Sequence, residues 1–226
     1  MLWRLFQKLE PTIFKLYQRV SYPPVPNLLG DRDIENSWVA ANMPEGPGAA
    51  LDFGCGPGWL GLLAARKGFV LTAIDLQPVV WYYQHPSLNF VQGDILKLPF
   101  SPGGFDLIIN CSTVEHVGLS GRYGVKEDCS DGDMEAMALL RKLLKPHKRM
   151  LLTVPVGRDR IHPPLHRIYG GKRLPALLQG WDVIKKEYWI KDEANRWTQT
   201  EESLALEKAP SDHCYGLGLF VLSQSE

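Results

Sequence analysis

In the stretch LDFGCGPGWLGLLAARKG, Leu51 to Gly68, an aspartate near the end of an apolar run is followed by glycines at 54, 56, 58 and 61. Ordered glycines cost backbone entropy, so a cluster of them marks a turn that needs unusual dihedrals or a backbone that a ligand approaches closely. Two fingerprints fit the letters. Gly56, Gly58 and Gly61 satisfy G-x-G-x-x-G, the dinucleotide pattern, whereas Asp52, Gly54, Gly56 and Gly58 satisfy D-x-G-x-G-x-G. Asp75, closing VLTAID, stands where a carboxylate can accept from both hydroxyls of a ribose, and its spacing of about 20 residues suits either pattern. A third carboxylate, Asp94, follows in NFVQGDILKLPF.

Other residues suit proton transfer or ligand recognition. CSTVEHVGLSGRYG carries Glu115 and His116, and an imidazole has the unperturbed pKa best matched to a general base at neutral pH. VGRDRIHPPLHRIYG adds His162 and His166, with prolines between them that rule out the helical i, i+4 metal pair. It also adds Arg158, Arg160 and Arg167, donors suited to carboxylate or phosphate. Glu127, Asp128, Asp131 and Asp133 offer oxygen ligands to a divalent cation, but DGD directly before an apolar-periodic run is a good helix start; no metal is expected. Tyr123, Tyr169, Trp181, Trp189 and Trp197 can stack on a ring, or fill core.

The elements that must position these groups alternate. Strands are expected at Ala49–Phe53, Phe69–Ile74, Leu88–Gln92, Asp106–Asn110, Met150–Val154, Trp181–Trp189 and Leu217–Leu222. Helices are expected from Asp31, at Trp59–Arg66, at Pro78–Gln84 and at Gly132–Leu144, where Pro146 ends the run. Alternation of this kind implies parallel pairing, right-handed crossovers and helices on both faces, with ligands outside the carboxyl ends of the strands. Ahead of it, Leu2, Leu5, Phe6, Leu9, Ile13, Phe14, Tyr17 and Val20 recur at helical spacing, and YPPVPN follows as a linker. The division expected is a helical segment with linker at 1–45 and the main domain at 46–226.

With these motifs in order from Ala49 to Pro155, the chain resembles the class I S-adenosylmethionine-dependent methyltransferases. The resemblance implies a Rossmann-like α/β sandwich with a seven-stranded, mostly parallel sheet, and S-adenosylmethionine as cofactor. It places Asp52, Gly54, Cys55, Gly56 and Gly58 at the methionine end, Asp75 and Leu76 at the ribose, and Asp94 and Ile95 at the adenine. FDLIIN matches the fourth-strand motif, which adds Asn110 and Cys111 to the cofactor contacts. LLRKLLKPHKRMLLTVP matches the helix and fifth strand, although His147 and Lys148 stand where many relatives have paired glycines. His116, Glu115, His162 and His166 become the catalytic candidates. A weaker likeness to proteins acting on surface glycans points to O-methylation of a sugar or other small-molecule hydroxyl; a non-catalytic module that binds the donor or its product is the alternative, and an NAD-dependent oxidoreductase a further rival.

Composition narrows the partners. Lys+Arg 25 against Asp+Glu 25 gives zero formal charge, so no global field favours nucleic acid. The four cysteines, Cys55, Cys111, Cys129 and Cys214, show no zinc-like spacing and read as reduced thiols. No apolar run approaches the roughly 18 residues of a spanning helix, and a cytoplasmic enzyme is expected.

Overall fold

The computed structural model describes residues 30–121, 123–210 and 215–224. The amphipathic segment and the YPPVPN linker lie outside the described residues. In chain order the strands are β1 Gly48–Phe53, β2 Phe69–Asp75, β3 Leu88–Gln92, β4 Phe105–Cys111, β5 Leu144–Val156, β6 Arg160–His162, β7 His166–Ile168, β8 Asp182–Lys191, β9 Trp197–Thr200 and β10 Gly216–Ser223. The helices are α1 Asp31–Asn42, α2 Leu60–Arg66, α3 Gly132–Leu143, α4 Arg173–Leu177 and α5 Glu202–Glu207, with a short 3-10 turn at Val114–His116.

One sheet runs β3-β2-β1-β4-β5-β10-β8-β9, and β6 and β7 form a separate hairpin. β1 to β5 pair in parallel; β10 is antiparallel to both β5 and β8, between which it lies. The main sheet has eight strands rather than the seven expected. The difference is β9, too short to stand out in sequence, which pairs with β8 across a turn at Asp192 to Arg196.

Strands such as β4 and β10 are nearly continuous apolar runs because both faces of the sheet are covered. On one face Ala136, Met137, Leu140 and Leu143 of α3 join Leu174 and Leu177 of α4 over Ile108, Leu152 and Phe220. On the other, Trp38, Val39 and Met43 from α1 and its end join Leu60 and Ala64 of α2 over Leu71, Leu107 and Leu219. α1, which falls inside the segment 1–45, therefore packs into the same core as the strands. α3 has the polarity its dipole favours, with Asp133 and Glu135 in its first turn and Arg141 and Lys142 in its last.

Two local expectations are corrected. Pro78–Gln84 is extended loop rather than helix: its run of valines and aromatics loses side-chain freedom in a helix, and it lies instead on the glycine loop. Past α3 the strand β5 starts at once, and His147 adopts φ 59°, a left-handed backbone that favours glycine. The register slips there, from Phe105 opposite Leu144 to Leu107 opposite Arg149. Asp106 holds the bulge through Lys145 at 2.7 Å and Lys148 at 3.3 Å, and these ammonium groups keep its carboxyl below the usual range despite its burial.

Candidate functional site

The order β3-β2-β1-β4 creates a switch point between β1 and β4, because the chain winds outward from β1 and then returns to its other side. Asp52 lies in β1 opposite Ala73 of β2, Asp75 ends β2 opposite Gln92 of β3, and Asp94 follows two residues after Gln92. Gly93 N–H donates to the Asp75 carbonyl at 2.9 Å, tying the last two ends together. Three carboxylates far apart in sequence thus stand on neighbouring strand ends.

Where β1 ends the chain turns at Gly54, with φ +68°; a Cβ there would lie 2.1 Å from Thr113 Cγ2. Thr113 Oγ1 approaches the Gly54 carbonyl at 3.3 Å, which joins the loop to the segment after β4. The loop's donors are used internally. Gly54 and Cys55 N–H both donate to the Ile74 carbonyl at 2.8 and 3.1 Å, Gly58 N–H to the Cys55 carbonyl at 3.3 Å, and Gly56 N–H to Asp75 Oδ2 at 3.0 Å. Gly56, φ +49°, has nothing within 4 Å of its missing Cβ and presents the open face of the loop.

This geometry separates the two fingerprints. A pyrophosphate needs free N–H groups and the bare N-terminus of the following helix. Here the N–H groups of Gly54, Cys55, Gly56 and Gly58 are satisfied, and the buried Asp52 carboxylate accepts from Gly61 N–H at the start of α2. Burial, the Gly61 bond and the Asp75 charge together leave Asp52 near a pKa of about 7, burial being the largest cause. Anionic side chains in such a cradle favour a cationic ligand.

Asp75 Oδ1 also accepts from Gln77 N–H at 2.9 Å, so one acceptor position on each of its oxygens is taken and others remain for hydroxyls. Asp94 accepts from Leu96 N–H at 3.0 Å and pairs with Lys97 at 3.1 Å; Ile95 is buried beside it, and Leu76 stands partly exposed. Burial pushes the Cys55 thiol up, with the Asp52 and Asp75 charges adding to it, so Cys55 is a neutral filler. Asn110 departs from expectation. It is fully buried, with Oδ1 accepting from Val114 N–H at 3.3 Å and Nδ2 on Met137 Sδ at 3.7 Å, so it anchors the 3-10 turn rather than facing the loop. Cys111 faces α1, where Thr153 Oγ1 reaches its sulfur at 3.4 Å.

Beyond β4 a second group of side chains assembles. The β6–β7 hairpin folds back so that the Leu165 carbonyl accepts from His116 Nδ1 at 2.5 Å. That bond fixes the ring, with Nε2 3.6 Å from Glu115 Oε1. His166 lies 6.3 Å from His116, 5.7 Å from His162 and 5.3 Å from Tyr215, centroid to centroid, and Tyr123 meets His116 edge-on at 5.4 Å. The four catalytic candidates therefore share one neighbourhood.

Sequence reasoning missed the wall that α1 contributes. Glu35, fully buried, accepts from Ser112 Oγ, from Thr153 Oγ1 at 2.8 Å and from Arg32 Nη1 at 3.0 Å; burial raises its pKa. Ser112 itself sits at φ 47°. Asp31, also raised by burial, accepts from Tyr215 at 3.4 Å. A signal existed: Glu35 is three and four residues before Trp38 and Val39, on the apolar face of α1, where a lone carboxylate needs partners.

One other expectation is corrected. Arg167 is not a free anion binder. It is fully buried, donating to the carbonyls of Glu115, Val117, Cys129 and Ser130, with Asp133 at 3.7 Å. Of the acidic cluster, Asp133 pairs with Arg173 at 2.6 Å and accepts from Tyr169 at 3.0 Å, and Asp128 accepts from Ser120 N–H at 2.7 Å. Tyr169 and Trp181 are core. A hollow of about 560 Å³ lined by Asp131, Arg160, Lys172 and Arg173 shares no residue with the glycine loop.

The family described as "Caenorhabditis protein of unknown function, DUF268" matches residues 100–217, more than half of the chain. The chain belongs to this family. Residues 50–146 of this DUF268 chain also match the family described as "Methyltransferase domain", and they form a domain of the class I, S-adenosylmethionine-dependent superfamily. Putative methyltransferase YqeM of Bacillus subtilis is 31% identical over 85 residues, 35% of this chain and 34% of that protein. The 18S rRNA (guanine-N(7))-methyltransferase bud23 of Schizosaccharomyces pombe is 32% identical over 77 residues, 31% of this chain and 28% of that protein. The chain thus spans about a third of the length of the curated relatives it matches. The crystal structure of Burkholderia thailandensis 1,6-didemethyltoxoflavin-N1-methyltransferase, with 1,6-didemethyltoxoflavin and S-adenosylhomocysteine bound, shares the fold at a TM-score of 0.55 and 13% identity, covering 99% of this chain and 90% of that one. No helix among the described residues is long and apolar enough to cross a membrane.

Proposed function

We propose that the protein transfers a methyl group from S-adenosylmethionine to a hydroxyl of a small molecule, a sugar being the favoured class. The observation that carries this reading is the cradle at Gly54 to Gly58, whose N–H groups are satisfied within the protein and whose charged members are the carboxylates of Asp52 and Asp75. Bound there, S-adenosylmethionine supplies an electrophilic methyl on a cationic sulfonium.

The chain's own residues do the rest. Asp75 orients the ribose and Asp94 with Ile95 the adenine, while the open face of Gly56 lets the backbone close on the methionine end. Across the switch point, His116 Nε2 takes the hydroxyl proton of the acceptor, its ring held by the Leu165 carbonyl and the resulting imidazolium stabilised by Glu115. His162 and His166 line the same wall with Tyr215, and α1 with the β6–β7 hairpin limits entry of water. The bud23 relative acts, by its name, on rRNA; the zero formal charge of this chain gives no global field that favours RNA, which supports a small acceptor.

Calorimetric titration with S-adenosylmethionine, S-adenosylhomocysteine and NAD tests the donor. The first two should bind and NAD should not; the reverse sinks the reading. Labelled-donor assays on panels of sugars and other hydroxylated small molecules then test the acceptor, and labelling confined to nitrogen acceptors or RNA overturns the hydroxyl.

A further inference from the structure

Residues 77–85 connect β2 to β3 as an extended strap whose alternate side chains face opposite ways. Tyr82 is wholly exposed, whereas its neighbours on either side turn inward onto the glycine loop. Trp81 Nε1 donates to the Gly56 carbonyl at 3.1 Å, and the Tyr83 hydroxyl donates to the Gly58 carbonyl. The Trp81 and Tyr83 rings stack 5.6 Å apart with planes 15° from parallel, and Phe90 of β3 meets Trp81 edge-on at 5.6 Å, which ties the stack to the sheet. Gly56 and Gly58 are therefore gripped on both polar edges: their N–H groups by Asp75 and the Cys55 carbonyl, their carbonyls by the strap.

A run of alternating glycines has little rigidity of its own, and ordering it when a ligand arrives subtracts from affinity. Fixing two of its peptide planes in advance removes part of that cost. The indole and phenol also settle which way the carbonyls point, and hence which way the open face of Gly56 points. We propose that Trp81 and Tyr83 are positioning residues that preorganise the Gly54–Gly58 loop for the donor through the Gly56 and Gly58 carbonyls. This rests on the donor reading above. Neither residue touches reacting atoms; both act through the loop.

The test is calorimetric titration of the full chain with S-adenosylhomocysteine, alongside Trp81→Phe, Tyr83→Phe and, as a control on the same strap, Tyr82→Phe. Tyr83→Phe removes only the hydroxyl; Trp81→Phe keeps an aromatic ring in the stack but removes the second ring along with the indole N–H. Trp81→Phe and Tyr83→Phe should each weaken binding about 3- to 10-fold, the range expected for one hydrogen bond, while their ligand-free thermal midpoints stay within about 3 °C of wild type. Tyr82→Phe should bind like wild type. Trp81→Phe should also lose most of the change in tryptophan emission that the ligand produces.

Unchanged affinity in both inward variants, an equal loss in Tyr82→Phe, or an emission change in Trp81→Phe as large as in wild type overturns the proposal. A fall in ligand-free midpoint of more than about 5 °C that accounts for the weaker binding does so too, since the bonds would then be general stability. A wild-type chain that binds no donor compound sinks the donor reading, and the strap with it; binding by wild type with indifferent variants sinks the strap alone.

Discussion

The two sides of the switch point are built by different means. At the ends of β1, β2 and β3 the cradle is mostly backbone: glycine N–H and carbonyl groups bonded to neighbouring strand ends, with carboxylates one residue before the end of β1 (Asp52), at the end of β2 (Asp75) and two residues past β3 (Asp94). At the ends of β4 and β5 the walls are side chains from α1, the loop after β4, the β6–β7 hairpin and the residue before β10, joined by contacts such as Glu35 to Thr153 and His116 to Leu165. Thr113 against Gly54 links the two. A backbone site tolerates replacement of most side chains around it. A side-chain site is remade by changing a few of them, so the first half suits one unchanging ligand and the second a variable one.

That contrast is broken most directly at His116. His116→Ala should lower turnover about 100- to 10,000-fold, the usual range for a lost general base, with donor affinity within about twofold of wild type; single-turnover assays paired with calorimetry check both. Equal losses in turnover and donor affinity would mean that the halves are not separable. Asp75→Ala should show the converse, about 100-fold weaker donor binding, because charge-assisted bonds to Gly56 and Gln77 and to a ribose vanish together.

Glu35→Ala probes the α1 wall as structure. Removing this carboxylate leaves the Ser112 and Thr153 hydroxyls without their acceptor, and stability should fall by about 2–4 kcal/mol, read from denaturant midpoints. Glu35→Gln should cost less, and donor affinity should hardly move. The smallest change expected in donor binding comes with pH. Asp52 titrates near 7 in the folded chain against 3.8 unfolded, so the folded state keeps a proton that the unfolded state has released across that window. The stability that Asp52 contributes therefore falls as pH rises from about 4 to 7 and is lost above it. A cationic donor prefers the ionised form, so its affinity should climb about tenfold from pH 6 to 8, and Asp52→Asn should flatten that slope.

The same contrast explains what could be seen in the letters. Asp52, Asp75 and Asp94 each follow an apolar run within a residue or two, so once strands alternate with helices their juxtaposition follows from topology. α3 was legible through its apolar spacing and the DGD start. The expected Pro78–Gln84 helix fails because its weak local helix propensity is outweighed by a pair of bonds to residues about 25 positions earlier, and sequence spacing does not reveal those bonds. Glu35 and Tyr215 escaped notice for a similar reason: their partners, Thr153 and Asp31, lie 118 and 184 residues away in sequence. Arg167 looked like an anion receptor because nothing in its surroundings announces that four carbonyls wait for it.

The placement of β10 between β5 and β8 has a consequence for how the molecule comes into being. Among the described strands β10 emerges after every other one and must be inserted into an interior slot, so the edges of β5 and β8 stay open to stray pairing until it arrives. The glycine cradle depends only on strands made early and can take shape during synthesis; the wall holding Tyr215 is completed last.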